Sequence, residues 1–456
     1  MGTQAKRVGR DLTEGPILPA LLAFSVPIVL SSMIQQLYSM VDLMVIGKYV
    51  GNIGTVGVST GGELSDLMTP IASGLAGAGQ IYIAQLAGAK DGERIKRATG
   101  TLLTFFMALS ILFTAGTFLF YVPILHWLNC PDEAFRAASN YMLITAIGMP
   151  FIFGYNAVCA VLRGMGESQK PLVFIIVAAT VNIFLDLLLV AVIPLEETGT
   201  AIATVGSQIG AFLAAFFFMY RRREEMGFRL EWSYFRVNRR DLMIILKLGI
   251  PQLISSLSVQ GSMLWVKSSI NAYGMVASAT YSVGNKIEKF MNMFINGIDV
   301  AGGAMVGQNL GARKTDRVRK IILELLVVSL SMACIVAALF VAIPDVFYSV
   351  FTNEAEVIEA GRTYLKIMAV GCFVIGAAGA MKSLVTGAGA ALLSLTIGVL
   401  DGVTRVLVCL LMFHVLHQGV QSYFWGAAFC QVVPGLISGV YFLSGKWTKR
   451  KLLLEE

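Results

Sequence analysis

The chain has 456 residues, of which 56% are hydrophobic and 14% charged, with a net charge of +7. That is far more apolar surface than a soluble core of this length can bury, which excludes a soluble globular protein and places the chain in lipid. The positive charge does not point to nucleic acid, because the basic residues sit in short segments between apolar stretches rather than on one soluble face.

A spanning helix needs roughly 20 mostly apolar residues. Such stretches recur at 17–47, 53–86, 99–125, 135–162, 171–193, 199–221, 242–271, 277–308, 320–343, 357–386, 392–416 and 421–445. They predict an all-α membrane protein with twelve transmembrane helices. The first stretch exceeds a signal-peptide core of about 7–15 residues, and no small-residue cleavage site follows it, so it is expected to stay as a helix. Five of the six cysteines (Cys159, Cys334, Cys372, Cys409 and Cys430) fall inside apolar spans, only Cys130 lies in a loop, and there is no CxxC pair. Neither a disulfide framework nor a structural metal is expected. His414 and His417 have a spacing that could hold a metal, but they flank an outer loop without a third ligand.

Alternate connections are basic: Lys6/Arg7/Arg10, Lys90/Arg94/Lys96/Arg97, Arg163/Lys170, the eight Lys/Arg from Arg221 to Lys247, Arg313 to Lys320, and Lys446 to Lys451. The positive-inside rule makes these cytoplasmic and puts both termini inside, with the chain in the plasma (inner) membrane. The other connections carry little positive charge and include Glu196 and Glu197. The longest polar link, from Tyr220 to Arg240, falls at the midpoint of the chain. Its Trp232, Tyr234 and Phe235 among arginines suit the headgroups of an anionic leaflet, so membrane lipids are expected partners there.

Sliding the chain on itself by 223 positions aligns Gly61 with Gly284, Gly74 with Gly297, Gly79 with Gly302, Gln85 with Gln308, Gly88 with Gly311, and Gly164 and Gly166 with Gly387 and Gly389. Such a run indicates a duplication. Residues 1–225 are expected to form one six-helix lobe and 242–456 a second, pseudo-symmetric one, joined by a cytoplasmic link at 226–241. Six helices return the chain to its starting side, so the halves share one orientation. Rocking between two such lobes is a recurrent device of secondary transporters.

Pro27 and Val41-Asp42 in span one, Gln85 to Ala89 closing span two, Leu162 to Glu167 ending span four, and Asn182-Ile183-Phe184-Leu185-Asp186 in span five together resemble the multidrug and toxic compound extrusion (MATE) family. The resemblance runs essentially the full length and includes the span count and the basic midpoint link. It implies efflux of small-molecule drugs or toxins, often cationic, in exchange for H+ or Na+, by a protein that is not an enzyme, needs no cofactor and is expected to be monomeric. It also implies the branch with its cation site in the N-terminal lobe, formed by Asp42, Asp186, Asn182, Thr204 and Asn156. The other branch has carboxylates in spans seven and ten, and here neither Gly249–Asn271 nor Leu365–Thr386 contains an acid.

The chemistry of these residues fits such a role. An ionised Asp at mid-membrane costs about 2.5–3.5 kcal/mol on insertion scales, so it persists where it faces a cavity and finds partners. Asn182 stands one turn before Asp186, on the same helix face. Two carboxyl groups close together in a dry site keep a proton between them unless a cation neutralises the pair. The bland alternatives remain open: Asp42 as an outer-interface residue, Asp186 as a structural hydrogen bonder, and Asn156 and Thr204 as interhelical glue.

A second set concerns the substrate. In the aligned repeats Glu63 and Asp66 of span two match Lys286 and Lys289 of span eight, inverting the charge. Asn285, Lys289, Asn292 and Asn296 form one polar helical face, assigned to the substrate cavity against the alternative of pairing within the lobe. Met33, Met68, Gln35, Tyr38 and Tyr141, with Met40 and Met44, are expected to line an adaptable apolar wall, lipid contact or packing being the alternative.

No GxxxxGK[ST] loop or HExxH helix occurs, so neither ATP-driven transport nor an intramembrane protease has support. A lipid-linked precursor flippase of related fold is the runner-up, which the span-eight lysines keep open, and a passive channel or receptor is a third reading. The Asp42 and Asp186 positions align near Val266 and Val408, so the two halves are expected to share a scaffold and divide the work.

Overall fold

The computed structural model describes residues 9–222 and 235–453, except the side chains of Leu43, Asn52, Asp66 and Pro70. Its long elements are α1 (Ile17–Tyr49), α2 (Asn52–Gly88), α3 (Gly92–Trp127), α4 (Asp132–Gly164), α5 (Gln169–Asp186), α6 (Glu196–Arg221), α7 (Arg239–Asn271), α8 (Met275–Gly311) and α9 (Thr315–Ala342). A short α10 (Pro344–Ser349) precedes α11 (Ala355–Gly387), α12 (Ala391–His414), α13 (Gln421–Phe429) and α14 (Val432–Leu443). With α13 and α14 taken as one crossing, these make twelve spans, and the chain is an all-α membrane protein.

Ten of the crossings are long and apolar enough to span a bilayer by composition alone. The other two, α2 and α8, are equally long but richer in glycine and polar residues, because they are central packing helices. α2 packs most extensively on α4, and α8 on α11. In lipid, close approach of small residues replaces the hydrophobic effect as the force between helices.

Two crossings, the twelfth and the fifth, are not simple helices. Pro434 cannot donate to the carbonyl of Cys430, and the helix stops between Phe429 and Val432. The fifth crossing changes from α-helix to a π-turn at Leu187–Val192. In the short α10, Asp345 takes a two-pronged ion pair from Arg362, at 2.6 Å from Nε and 2.8 Å from Nη2. The guanidinium holds the Asp345 carboxyl below its ordinary range.

The chain divides into two compact units, one of Met1–Asp11 with Val26–Leu246, the other of Leu12–Ser25 with Lys247–Glu456. The division cuts α1 next to Pro27, which lacks the N–H that would continue the helical ladder. In the second unit, Leu12 N donates to Gln308 Oε1 at 3.1 Å, Asn309 Nδ2 donates to Leu12 O at 3.0 Å, and Lys314 Nζ donates to Thr13 O at 3.0 Å. In the first, the end of the midpoint link is tied down: Thr104 Oγ1 donates to Phe235 O at 2.9 Å, and Tyr82 OH to Asp241 Oδ1 at 2.7 Å. Trp232 and Tyr234 of the expected headgroup contact lie outside the described residues.

The duplication holds contact by contact. A Cβ on Gly79 would come within 2.8 Å of Leu102, and one on Gly302 within 2.7 Å of Leu325. Gly148 faces Val205 and Gly371 faces Ala428 in the same way. Each of these partners is its counterpart's neighbour moved by the same 223 positions. Even strained turns repeat: Lys90 has φ 61° and Arg313 φ 57°.

Candidate ion-coupling site

The candidate site lies within the first unit, where α1, α5 and α6 contribute side chains. Asp186 is the last α-helical residue of α5, directly before the π-turn. A π-turn inserts one extra residue and shifts the hydrogen-bond register, a feature that recurs at functional sites. Ile193 N donates to Leu188 O at 2.8 Å and Leu195 N to Leu189 O at 3.0 Å, which closes the widened turn and leads into α6. α6 runs tightly against it, since a Cβ on Gly199 would lie 2.8 Å from the Leu189 carbonyl oxygen.

Asp42 and Asp186, distant in sequence, bring their carboxyl groups within hydrogen-bonding reach. Two carboxylates are both acceptors, so this contact becomes a hydrogen bond only when one of them carries a proton. No donor meets them otherwise: Asp42 Oδ1 and both oxygens of Asp186 are buried without a hydrogen-bond partner. Asn182 is fully buried and neither atom of its amide is paired, and Thr204 Oγ1 is likewise buried and unpaired. Each such orphaned group costs about 1–3 kcal/mol. A set of buried oxygens, none of which accepts a hydrogen bond, suits a proton or a hard cation, which would satisfy several of them at once.

Asn156, the fifth expected ligand, is half-buried, and its Nδ2 donates to Ile152 O at 2.8 Å, one turn back on α4. Tyr38 stands one turn before Asp42 and feels its charge, and Gln208 Nε2 donates to the Tyr38 hydroxyl at 3.5 Å, the long limit for such a bond.

The expected substrate residues are distributed as follows. Gln35 is exposed, while Met33 and Met68 are half-buried. Tyr141 is buried among Ile46, Val58 and Ala201. On α8, Lys286 and Lys289 are exposed, and the Lys286 ammonium lies 5.7 Å from the centre of the Phe351 ring. Asn285 and Asn292 lie near Tyr281 and Glu288, within the second unit, and Asn285 Oδ1 is buried without a hydrogen-bond partner. Glu63 is exposed, and the Asp66 side chain lies outside the described ones.

One charged group in the second unit escaped the sequence reading. Glu288 of α8 and Asp401 and Arg405 of α12 are all buried. Arg405 Nη2 donates to Asp401 Oδ1 and to Cys430 Sγ, each at 3.3 Å, and Tyr364 OH donates to Glu288 Oε2 at 3.2 Å. The available signal was Asp401 and Arg405, one turn apart in an otherwise apolar span. Spans seven and ten lack such acids, and Glu288 and Asp401 lie in spans eight and eleven. Among the described residues, no group of three His, Cys, Asp or Glu is placed to hold a metal ion.

Known proteins share this architecture. Residues 27–188 and 251–411 match the family model described as MatE, once in each half. The chain is 28% identical over 370 residues to the probable multidrug resistance protein YoeA of Bacillus subtilis, covering 80% of each chain. It is 27% identical to the probable multidrug resistance protein YpnP of the same organism, covering 98% of this chain and 99% of that one. It is 22% identical to the multidrug export protein MepA of Staphylococcus saprophyticus over 97% of this chain and 98% of that one. Among solved structures, an outward-facing multidrug resistance MATE family transporter superposes with TM-score 0.90 at 19% identity, covering 99% of this chain and all of the other. A MOP superfamily transporter from Pyrococcus furiosus does so with TM-score 0.89, also at 19% identity, over 99% of this chain and 100% of that one. At these identities the structural likeness establishes the fold alone.

Proposed function

Since this chain belongs to the MatE family, whose members are transporters and not enzymes, we propose that it is a secondary active multidrug efflux antiporter. It exports small organic compounds, often cationic, in exchange for H+ or Na+. The names of its relatives support multidrug export. The observation that carries the coupling is the Asp42–Asp186 pair, two buried carboxyl groups facing each other with no donor between them.

In the empty site two negative charges repel across a medium of low dielectric, where Coulomb energies are several-fold larger than in water. A proton or Na+ from the outer side removes that repulsion and draws α1 toward α5. Asn182 and Thr204 supply the remaining oxygens, with Asn156 as a fifth ligand. The first unit then has two shapes whose balance cation occupancy sets, and drug affinity differs between them by linkage. Tyr38, one turn from Asp42, places the drug wall and the ion site on the same helix. Gln35, Met33, Met68 and Tyr141 in the first half, and Asn285, Lys289 and Asn292 in the second, are the residues proposed to meet the drug.

Dye extrusion from proteoliposomes under an imposed pH gradient or an imposed sodium gradient tests this reading. Wild-type protein is expected to respond to one gradient and Asp42→Asn to neither. Gradient-driven extrusion by Asp42→Asn at the wild-type rate rejects the assignment.

A further inference from the structure

The offset that superposes the two halves places Arg405 on Asn182 and Cys409 on Asp186. The correspondence is structural as well, since Gly148 packs on Val205 of α6 and Gly371 on Ala428, the matching residue of α13. In the first unit this place on the fifth crossing holds the unpaired amide of Asn182, one turn before Asp186. In the second it holds a guanidinium that is 4% exposed.

We infer that Arg405 is a tethered counter-ion standing where the first unit takes up its coupling cation, and that it holds the transporter to one cation site per cycle. This rests on the reading of Asp42 and Asp186 as the coupling pair.

The charges support it. In the first unit the two facing carboxyl groups are each other's charged neighbours, and among the described residues no cation acts on either. The second also has two, Glu288 and Asp401, with the Arg405 guanidinium in the field of both and bonded to one. The negative charge left over is eased by the hydrogen bond that Tyr364 OH donates to Glu288. Tyr281 and Cys430 also face this cluster. A diffusing cation therefore meets a place already filled by a positive charge. Arg405 still has Nε and Nη1 buried without partners, so it is not locked into a saturated structural network. Such half-satisfied burial is costly, and a purely structural role would not need it.

Removing the guanidinium leaves Glu288 and Asp401 as an uncompensated pair and opens a cavity between them. That recreates the condition of the first site, so Arg405→Ala is expected to gain a cation site. The experiment counts cations on the purified full-length chain, by equilibrium binding of radioactive sodium and by proton uptake or release with an indicator dye. Wild type and Arg405→Lys are expected to bind one equivalent, Asp186→Asn none, and Asp186→Asn with Arg405→Ala one. A count of none in that last protein, with the elution profile of wild type, overturns the inference. If Arg405→Ala does not survive purification, Arg405→Gln with Asp401→Asn in the Asp186→Asn background leaves Glu288 as the remaining carboxyl group of this cluster. It is expected to take up one proton equivalent, and no uptake counts equally against the inference. An equivalent retained by Asp186→Asn alone rejects the coupling reading instead, and the gain on removing Arg405 is then measured from that baseline.

Discussion

The two halves solve the same packing problem and differ in what they bury at the same depth. In the first, Asp42, Asp186, Asn182 and Thr204 present oxygens that nothing in the protein satisfies. In the second, Glu288 and Asp401 come with Tyr364 and Arg405 as partners. Glycines at helix crossings and the left-handed turns at Lys90 and Arg313 are shared by both. A duplicated scaffold thus keeps its steric rules while its polar interior diverges, because a backbone crossing tolerates no side chain but a cavity accepts any set of charges that balances. Unbalanced groups are poised to take a ligand, and balanced groups are held by what they already have.

The largest effect that sharpens this contrast is on stability. Arg405→Ala is expected to cost about 3–5 kcal/mol, because breaking a buried ion pair strands the partner charge. Adding Glu288→Gln is expected to recover part of that loss. Thermal unfolding of the purified variants reads both, and an unchanged midpoint for Arg405→Ala would place its charge in water instead of the protein interior.

Next is a steric difference between equivalent positions. A methyl on Gly371 meets the Ala428 Cα at 2.8 Å, whereas one on Gly148 meets side-chain methyls of Val205, also at 2.8 Å. Backbone cannot turn aside and a side chain can, so Gly371→Ala is expected to lose roughly 1–3 kcal/mol and Gly148→Ala less. Equal midpoints would mean that the second half is as compliant as the first.

In the first half, Thr204→Ala is expected to weaken cation affinity about tenfold, roughly 1.4 kcal/mol. It should leave thermal stability nearly unchanged, because the hydroxyl it removes has no partner to lose. A large fall in stability with intact binding would make Thr204 a packing residue.

The smallest effect is at the exposed Asp345–Arg362 pair, which has no counterpart in the first half, where Val122 and Ser139 stand. Surface pairs contribute little. Because Arg362 depresses the Asp345 carboxyl, any contribution is present above the ordinary carboxyl range and is lost as pH falls through the depressed value. Asp345→Asn should therefore differ from wild type by its full amount above about pH 4 and converge on it as the pH falls through the depressed value. A difference that grows on acidification contradicts this sign.

Much of the fold was legible because lipid enforces simple rules. Apolar stretches marked the crossings, alternating basic loops suggested the sidedness, and recurring glycines gave away the duplication. Asp186 stood out as an acid in an apolar span. What sequence could not show was its approach to Asp42, since that depends on how α1 and α5 pack. The π-turn after Asp186 leaves no mark in the apolar run Leu-Leu-Leu-Val-Ala-Val. The break between α13 and α14 was visible in principle, as Pro434. The second half's charge cluster was hidden because Glu288 sits beside the more conspicuous Lys286 and Lys289, on the other face of α8. The grouping of Leu12–Ser25 with the second unit depends on side chains of Gln308, Asn309 and Lys314 reaching across nearly the whole sequence.

Gradient-driven dye extrusion from proteoliposomes carrying Asp186→Asn, compared with Glu288→Gln under the same single-ion gradient, tests the division of work most directly. Coupling through the first unit predicts background extrusion for Asp186→Asn, a loss of about a hundredfold or more, equal to about 2.7 kcal/mol or more, while Glu288→Gln keeps responding to the gradient. Extrusion by Asp186→Asn at the wild-type rate, with loss only in Glu288→Gln, would put the coupling in the second unit.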